Sequence, residues 1–183
     1  MTKMKIKITE LIKSGDISPF KWGDSDKDFL NIFPKWKNRI TECKKTKCPF
    51  IEIDSVEFYF EKDFYKGLNS IVIGVWHFDK DYESNYFDNE WIQDDLSLPQ
   101  VKDILNNKKW TYEELSIRRS NEPYLLTNRF TQFAFDSTDY GDYEENKTEL
   151  QKIFINPELV TDEFVNRKGN KITLYNNAYN TAG

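Results

Sequence analysis

Residues able to do catalytic chemistry are scarce in this chain. The one histidine, His77, stands between Trp76 and Phe78 in an apolar run. A serine or cysteine nucleophile activated by imidazole would have to use it, and neither Cys43 nor Cys48 follows a helix start that would lower its pKa. We expect His77 to be a core residue. The sequence therefore assigns no catalytic residue and favours a non-enzymatic protein.

Carboxylates are the one catalytic residue type in good supply, with 31 Asp and Glu. Paired carboxylates hydrolyse glycosidic bonds, so a small carboxylate-dependent hydrolase is the alternative function. No pair stands out from the other acidic residues. A concave pocket with two close carboxylates would favour this alternative.

Metal and cofactor motifs are weak or missing. Cys43 and Cys48 flank KKTK with no second pair, which is a poor zinc pattern and predicts two reduced thiols. The segment 136–147 starts like a calcium loop but ends in Lys147 instead of glutamate. His77, Asp79 and Asp81 alternate as strand-borne ligands would. HExxH, P-loop and GxGxxG motifs are absent, and we predict no metal and no cofactor.

The charge balance argues against a nucleic-acid partner. Net charge is -5, and nucleic-acid binders normally carry a basic surface. The basic cluster in 35–47 is typical of a solvated connector, and the strand aromatics have Glu57, Glu61 and Asp63 as neighbours. An acidic surface suits a basic protein partner instead.

Features of membrane or exported proteins are not visible. Residues 1–12 mix lysines with isolated apolar residues and lack the apolar core of a signal peptide. No run approaches the roughly 20 apolar residues of a membrane helix. We predict a cytoplasmic protein without a membrane partner and assign no oligomeric state.

A central hairpin over Val56–Phe78 should organise the fold. Val56, Phe58 and Phe60 alternate with polar residues, which is the pattern of a half-buried strand. Residues 68–78 then form an apolar, β-branched run that is typical of a strand buried on both faces.

The remaining elements are predicted from periodicity and capping signals. Helices are expected over 4–13, over 25–33 and over 98–110, with a further helical turn at TYEEL (111–115). Strands are expected over 51–53, 124–135 and 150–155, with a hairpin of 164–167 and 171–175.

These elements predict an α+β fold, with a mainly antiparallel sheet of about six strands and helices on one face. The chain is expected to form a single domain over 1–183. Phe58 and Phe60 match Phe133 and Phe135 at one constant offset, so we predict helix-plus-hairpin repeat units over 8–78 and 98–156, followed by a tail over 157–183.

The segment GDISPFKWG (15–23), followed by a short helix, a proline and VEFYF, carries a family resemblance. It resembles small bacterial proteins with an ISPF-WG opening, some of which act as immunity proteins beside toxins. The match covers about 8–73, and Phe33 replaces the usual glycine before the proline. The helix-then-hairpin pattern is also similar to β-lactamase-inhibitor-protein-like modules, which bind proteins through an antiparallel sheet. Neither resemblance implies catalytic residues.

The expected function is therefore protein binding, as an immunity protein that neutralises a basic toxin. Two acidic, aromatic segments, 79–91 and 136–145, are the predicted interface. Aromatic anchors ringed by carboxylates suit such a partner. The candidate binding residues are Tyr82, Tyr86, Phe87, Asp88, Trp91, Asp139, Tyr140 and Asp142.

Overall fold

A computed structural model describes residues 5–48, 50–60, 67–79, 81–117, 123–127, 131–137, 148–156 and 164–166. In these ranges the helices are α1 (Ile8–Ser14), α2 (Asp26–Ile32), α3 (Lys37–Thr46) and α4 (Leu98–Asn107). The strands are β1 (Ile6–Lys7), β2 (Phe50–Ile53), β3 (Val56–Phe60), β4 (Leu68–Gly74), β5 (Phe87–Asp88), β6 (Tyr112–Ile117), β7 (Pro123–Thr127), β8 (Thr131–Ser137), β9 (Thr148–Ile155) and β10 (Phe164–Asn166).

Eight of these strands form one antiparallel sheet, in the order β10-β6-β7-β8-β9-β4-β3-β2. The pair β1 and β5 forms a separate, parallel two-stranded sheet. The predicted α+β class with a mainly antiparallel sheet is confirmed. The strand number exceeds the expected six in the described ranges, because 124–135 divides into two strands and because TYEEL forms a strand.

The prediction of a helical turn at TYEEL is wrong. Residues Tyr112–Ser116 pair with β7, and Leu115 is buried. Glu114 does not cap a helix, since its carboxylate lies 3.1 Å from the Lys102 ammonium of α4. Sheet pairing and this ion pair outweigh a local capping signal that is worth about 1 kcal/mol.

The helix ends follow the capping rules that the sequence indicated. Ser25 caps α2. Its hydroxyl accepts a hydrogen bond from the Asp28 amide, and the Asp28 carboxylate accepts one from the Ser25 amide. Gly15 ends α1 in the left-handed conformation at φ 67°. The basic connector over 35–47 is more ordered than expected, because α3 occupies most of it and buries Ile40 and Cys43.

One face of the large sheet, here called the inner face, packs against the helices. The α2 ring of Phe29 lies 5.1 Å from Phe58 and 5.6 Å from Phe60, measured between ring centroids. The α1 carbonyl of Ile12 accepts a hydrogen bond from the Thr131 hydroxyl of β8. The buried apolar residues of all four described helices belong to this one cluster.

The GDISPFKWG segment is part of this packing. Phe20 lies 5.5 Å from Phe29 and 5.0 Å from Phe58. Its end is joined to β4, because the Gly23 amide donates to the Leu68 carbonyl and the Leu68 amide donates to the Asp24 carbonyl. The segment therefore has a structural role, because it contacts both α2 and the large sheet.

The two predicted repeat units meet at the centre of the sheet. Ile71 pairs with Ile155, and Ile73 pairs with Ile153, so β4 and β9 are related as a two-fold axis would relate them. Both hairpins also carry a bulge at corresponding sites, after Tyr59 and after Ala134. The duplication of a whole helix-plus-hairpin unit stays a prediction.

The predicted C-terminal hairpin falls partly outside the described residues. Its first strand is present as β10, which pairs antiparallel with β6 at Phe164–Asn166. Its expected partner over 171–175 lies outside the described ranges, and so do 157–163 and 176–183 of the predicted tail.

Candidate functional site

The predicted binding residue Tyr82 lies in a loop that hydrogen bonds hold against Asp54. Its hydroxyl donates to the Asp54 carbonyl at 2.6 Å, and the Ser84 hydroxyl donates to the Asp54 carboxylate at 2.7 Å. Burial, and then the Asp54 charge, raise the pKa of Tyr82. The loop therefore supports the β2–β3 turn, where Asp54 and Ser55 both take positive φ values.

The other predicted aromatics in 79–91 turn toward the core. Phe87 is only 2% exposed and lies in β5. The Tyr86 ring meets Phe33 edge-on at 5.2 Å, and Trp91 stacks on Phe133 at 6.3 Å. Phe87 belongs to the core, and the other two rings are half-buried against it, which leaves mainly the polar side of the segment to solvent.

Among the predicted carboxylates, Asp88 is half-buried, and its Oδ1 accepts a hydrogen bond from the Glu90 amide at 3.2 Å. Asp139, Tyr140 and Asp142 lie outside the described residues. Among the described residues that precede them, Asp136 and Ser137 pair with Glu149 and Thr148 of β9.

The expectation that His77 is a core residue is wrong. Strand β4 ends at Gly74, and a 3₁₀ turn over Val75–His77 replaces the expected continuation of the strand. This turn buries Val75 and Phe78 but exposes His77 and Trp76. Within the described part of the chain, His77, Asp79 and Asp81 do not assemble into a metal site, and no other group of three such ligands does so.

Trp76 is the most unusual side chain on this surface. It is 43% exposed and is the one large apolar side chain that is exposed among the described residues. Its indole lies against Gly74, since a Cβ built on that glycine would stand 3.0 Å from the Trp76 Cζ2 atom. The Lys152 ammonium lies 5.0 Å from the indole centroid, within the range of a cation–π contact.

The strand register explains why a recess forms beside this indole. On the outer face, opposite the helices, Gly74, Lys152, Ala134 and Tyr124 form one row across β4, β9, β8 and β7. Gly74 and Ala134 are small, whereas residues around them are large. A bulge after Ala134 also shifts the register of β8 against β9, and bulges commonly occur beside functional sites.

The recess is a cavity of about 260 Å³ that we call the Trp76 pocket. This volume is below the roughly 300–1,000 Å³ typical of small-molecule sites, so it suits one protruding side chain better than a cofactor. Its lining residues are Trp76, Tyr124, Ala134, Phe135, Asp136, Gln151, Lys152 and Phe154.

The pocket combines aromatic walls with charges of both signs. Trp76, Tyr124 and Phe154 provide the aromatic surface, while Lys152 and Asp136 provide one cation and one carboxylate. Of the described residues that line the pocket, Asp136 alone carries a carboxylate. The lining can therefore bind and orient a side chain, whereas the two-carboxylate arrangement of a glycosidase is not assembled from it.

Sequence reasoning missed this pocket, although part of its signal was visible. A glycine two residues before a tryptophan, at the end of an apolar strand, marks a place where a ring can lie on backbone. Ala134 between Phe133 and Phe135 marks a small outward-facing position. Only the cross-strand register brings these two positions into the same row.

Comparison with protein-family models, with curated proteins and with solved structures gave no match to this chain. No family is therefore assigned, and the immunity-like resemblance stays a prediction. Among the helices of the described residues, none has both the length and the apolar character needed to cross a lipid bilayer.

Proposed function

We propose that this protein is a non-enzymatic, cytoplasmic protein-binding module, and that its specific role is to neutralise a basic toxin. The observation that supports this proposal best is that Trp76 is exposed beside a pocket with further aromatic walls. Tryptophan and tyrosine dominate binding hot spots, because each buries a large area at a small entropic cost.

The proposed interface differs from the predicted loops. Phe87 is buried in the core, and Tyr86 and Trp91 are half-buried against it, so they offer a partner less surface than Trp76 does. Asp136 lines the pocket and begins the predicted acidic segment 136–145. This continuity links the Trp76 pocket to the part of the predicted interface that lies outside the described residues.

The proposed partner inserts one basic side chain into the pocket. Its apolar stem would pack on Trp76 and Tyr124, and its charge would pair with Asp136. The net charge of -5 favours encounter with a basic surface, as complementary charge mainly increases association rates. Lys152 opposes this charge locally, which makes it a useful probe of the partner's sign.

The experiment measures binding of the purified chain to the protein encoded by the neighbouring gene, and inhibition of that protein's toxicity. Trp76→Ala should weaken the complex about 30-fold, which corresponds to a hot spot of about 2 kcal/mol. His77→Ala is the matched control, because His77 is also exposed on the same turn but does not line the pocket.

Charge variants test the sign of the partner. Asp136→Asn should weaken binding, Lys152→Met should strengthen it, and Asp103→Asn on exposed α4 surface should leave it unchanged. Weaker binding by the Lys152 variant would overturn the proposal that the partner is basic. If neither Trp76→Ala nor Asp136→Asn changes binding, the Trp76 pocket is not the interface. If no complex forms at all, the proposed immunity role is overturned.

A further inference from the structure

The two cysteines converge on a single acceptor at the end of α3. The Cys43 thiol donates to the Phe50 carbonyl at 3.4 Å, and the Cys48 thiol donates to the same oxygen at 3.5 Å. The chain turns back between them because Lys47 takes a positive φ of 57°. The Cys48 amide then donates to the Cys43 carbonyl at 2.9 Å, which closes the turn.

The two thiols differ in access. Cys43 is 2% exposed, and burial, followed by the nearby Cys48, raises its pKa. Cys48 is half-buried, so its thiol is the one that a reagent reaches first. A low-access thiol beside a more accessible one is the arrangement of an attacking and a resolving cysteine.

We propose that Cys43 and Cys48 form a dithiol modification site, which a small disulfide such as oxidised glutathione converts to an intramolecular disulfide. The inference is independent of the Trp76 pocket. It rests on two sulfurs that share one carbonyl oxygen and on the backbone turn that holds them together.

The reaction proceeds by two thiol–disulfide exchanges. Cys48 loses its proton, and its sulfur attacks one sulfur of oxidised glutathione, which breaks that S–S bond and releases one glutathione thiol. Cys43 then loses its proton and attacks the Cys48 sulfur, displacing the second glutathione. Two protein thiols are oxidised to one disulfide, and one glutathione disulfide is reduced to two thiols.

Closure of the disulfide has a structural consequence at the sheet edge. A disulfide has no S–H donor, so the Phe50 carbonyl loses both thiol hydrogen bonds. Phe50 begins the edge strand β2, and its ring stacks on Tyr59 at 4.9 Å. We expect faster amide hydrogen exchange in β2 after oxidation, while the pocket strands β8 and β9 keep their exchange rates.

The test exposes the full reduced chain to graded mixtures of reduced and oxidised glutathione, and reads thiol content and intact mass after alkylation. The wild type should lose both thiols together and become lighter by two hydrogen atoms without retained glutathione. Cys43→Ser should accumulate a lasting glutathione adduct at Cys48. Cys48→Ser should react at Cys43 at least about tenfold more slowly than Cys43→Ser reacts at Cys48.

Several outcomes would overturn the proposal. These are stable glutathione adducts at both cysteines of the wild type, equal reactivity of the two serine variants, or a disulfide that forms only between chains. Circular dichroism confirms that each variant is folded. If Cys43→Ser is unfolded, trapping of the wild-type mixed disulfide by rapid acid quench locates the first attacked sulfur, and finding it at Cys43 would equally overturn the proposal.

Discussion

The inner and outer faces of the large sheet use aromatic residues in opposite ways. On the inner face, Phe58 is 1% exposed and has Phe20, Phe29, Phe33 and Phe87 rings within 6.2 Å between centroids. On the outer face, Trp76 is 43% exposed, lies against Gly74 and has the Lys152 ammonium 5.0 Å from its indole centroid. The difference teaches that residue type alone does not separate a core ring from an exposed ring, because the elements packed on each face decide which rings are covered.

The largest effect that would sharpen this comparison is expected from Phe58→Ala. Removing a fully buried ring loses its transfer free energy and leaves a cavity, so the free energy of unfolding should fall by about 3–5 kcal/mol. Trp76→Ala is the matched outer-face change and should cost about 1 kcal/mol or less. Urea denaturation at equal protein concentration measures both, and equal losses would contradict the contrast between the faces.

An intermediate effect is expected from Gly74→Ala. Alanine suits a strand better than glycine by about 0.5–1 kcal/mol, but here its Cβ would press on the Trp76 indole. The gain should therefore appear only when Trp76 is also replaced by alanine. A double-mutant cycle with tryptophan fluorescence measures this, and additive changes would show that the indole does not rest on Gly74.

The smallest effect concerns Tyr59, on the outer face of β3. Burial first, and then its 2.8 Å hydrogen bond to the Glu57 carboxylate, raise the pKa of this phenol. The folded state therefore holds the proton more tightly than the unfolded state. Its contribution to stability is complete below about pH 10 and declines as pH rises above that value.

Phenol absorbance and urea denaturation at increasing pH test this prediction. Tyr59→Phe should lose less stability than the wild type between pH 9 and about pH 11. Tyr112→Phe is a suitable control, because Tyr112 is also half-buried and its ring lies on a different strand. An identical alkaline decline in wild type and Tyr59→Phe would contradict the assignment.

Much of the secondary structure was readable from local patterns. The alternation in Val56–Phe60 predicted β3, and periodicity with capping signals predicted a helix over 25–33, which is present as α2. Predictions failed where a distant partner overrides the local signal. TYEEL carries a capping pattern, but pairing with β7 and the Lys102 ion pair make it a strand.

The candidate site was less readable than the fold. The aromatic and acidic composition of 79–91 favoured an exposed interface, yet most of its rings pack against residues far away in the chain, such as Phe33 and Phe133. The apolar surroundings of His77 favoured a buried strand, yet the strand ends three residues earlier. Burial depends on which surfaces meet, and a single sequence does not contain that pairing explicitly.

The sequence by itself determined the α+β class, the inward alternation of β3 and the starts of α2 and α4, because these depend on periodicity and capping within a few residues. The tertiary structure alone decided which aromatics face solvent. Register across β4, β9, β8 and β7 aligns Gly74, Ala134 and Tyr124 in one row, and this alignment opens the Trp76 pocket. The inner rings are covered by helices, whereas Trp76 lies beyond the end of its strand and stays exposed.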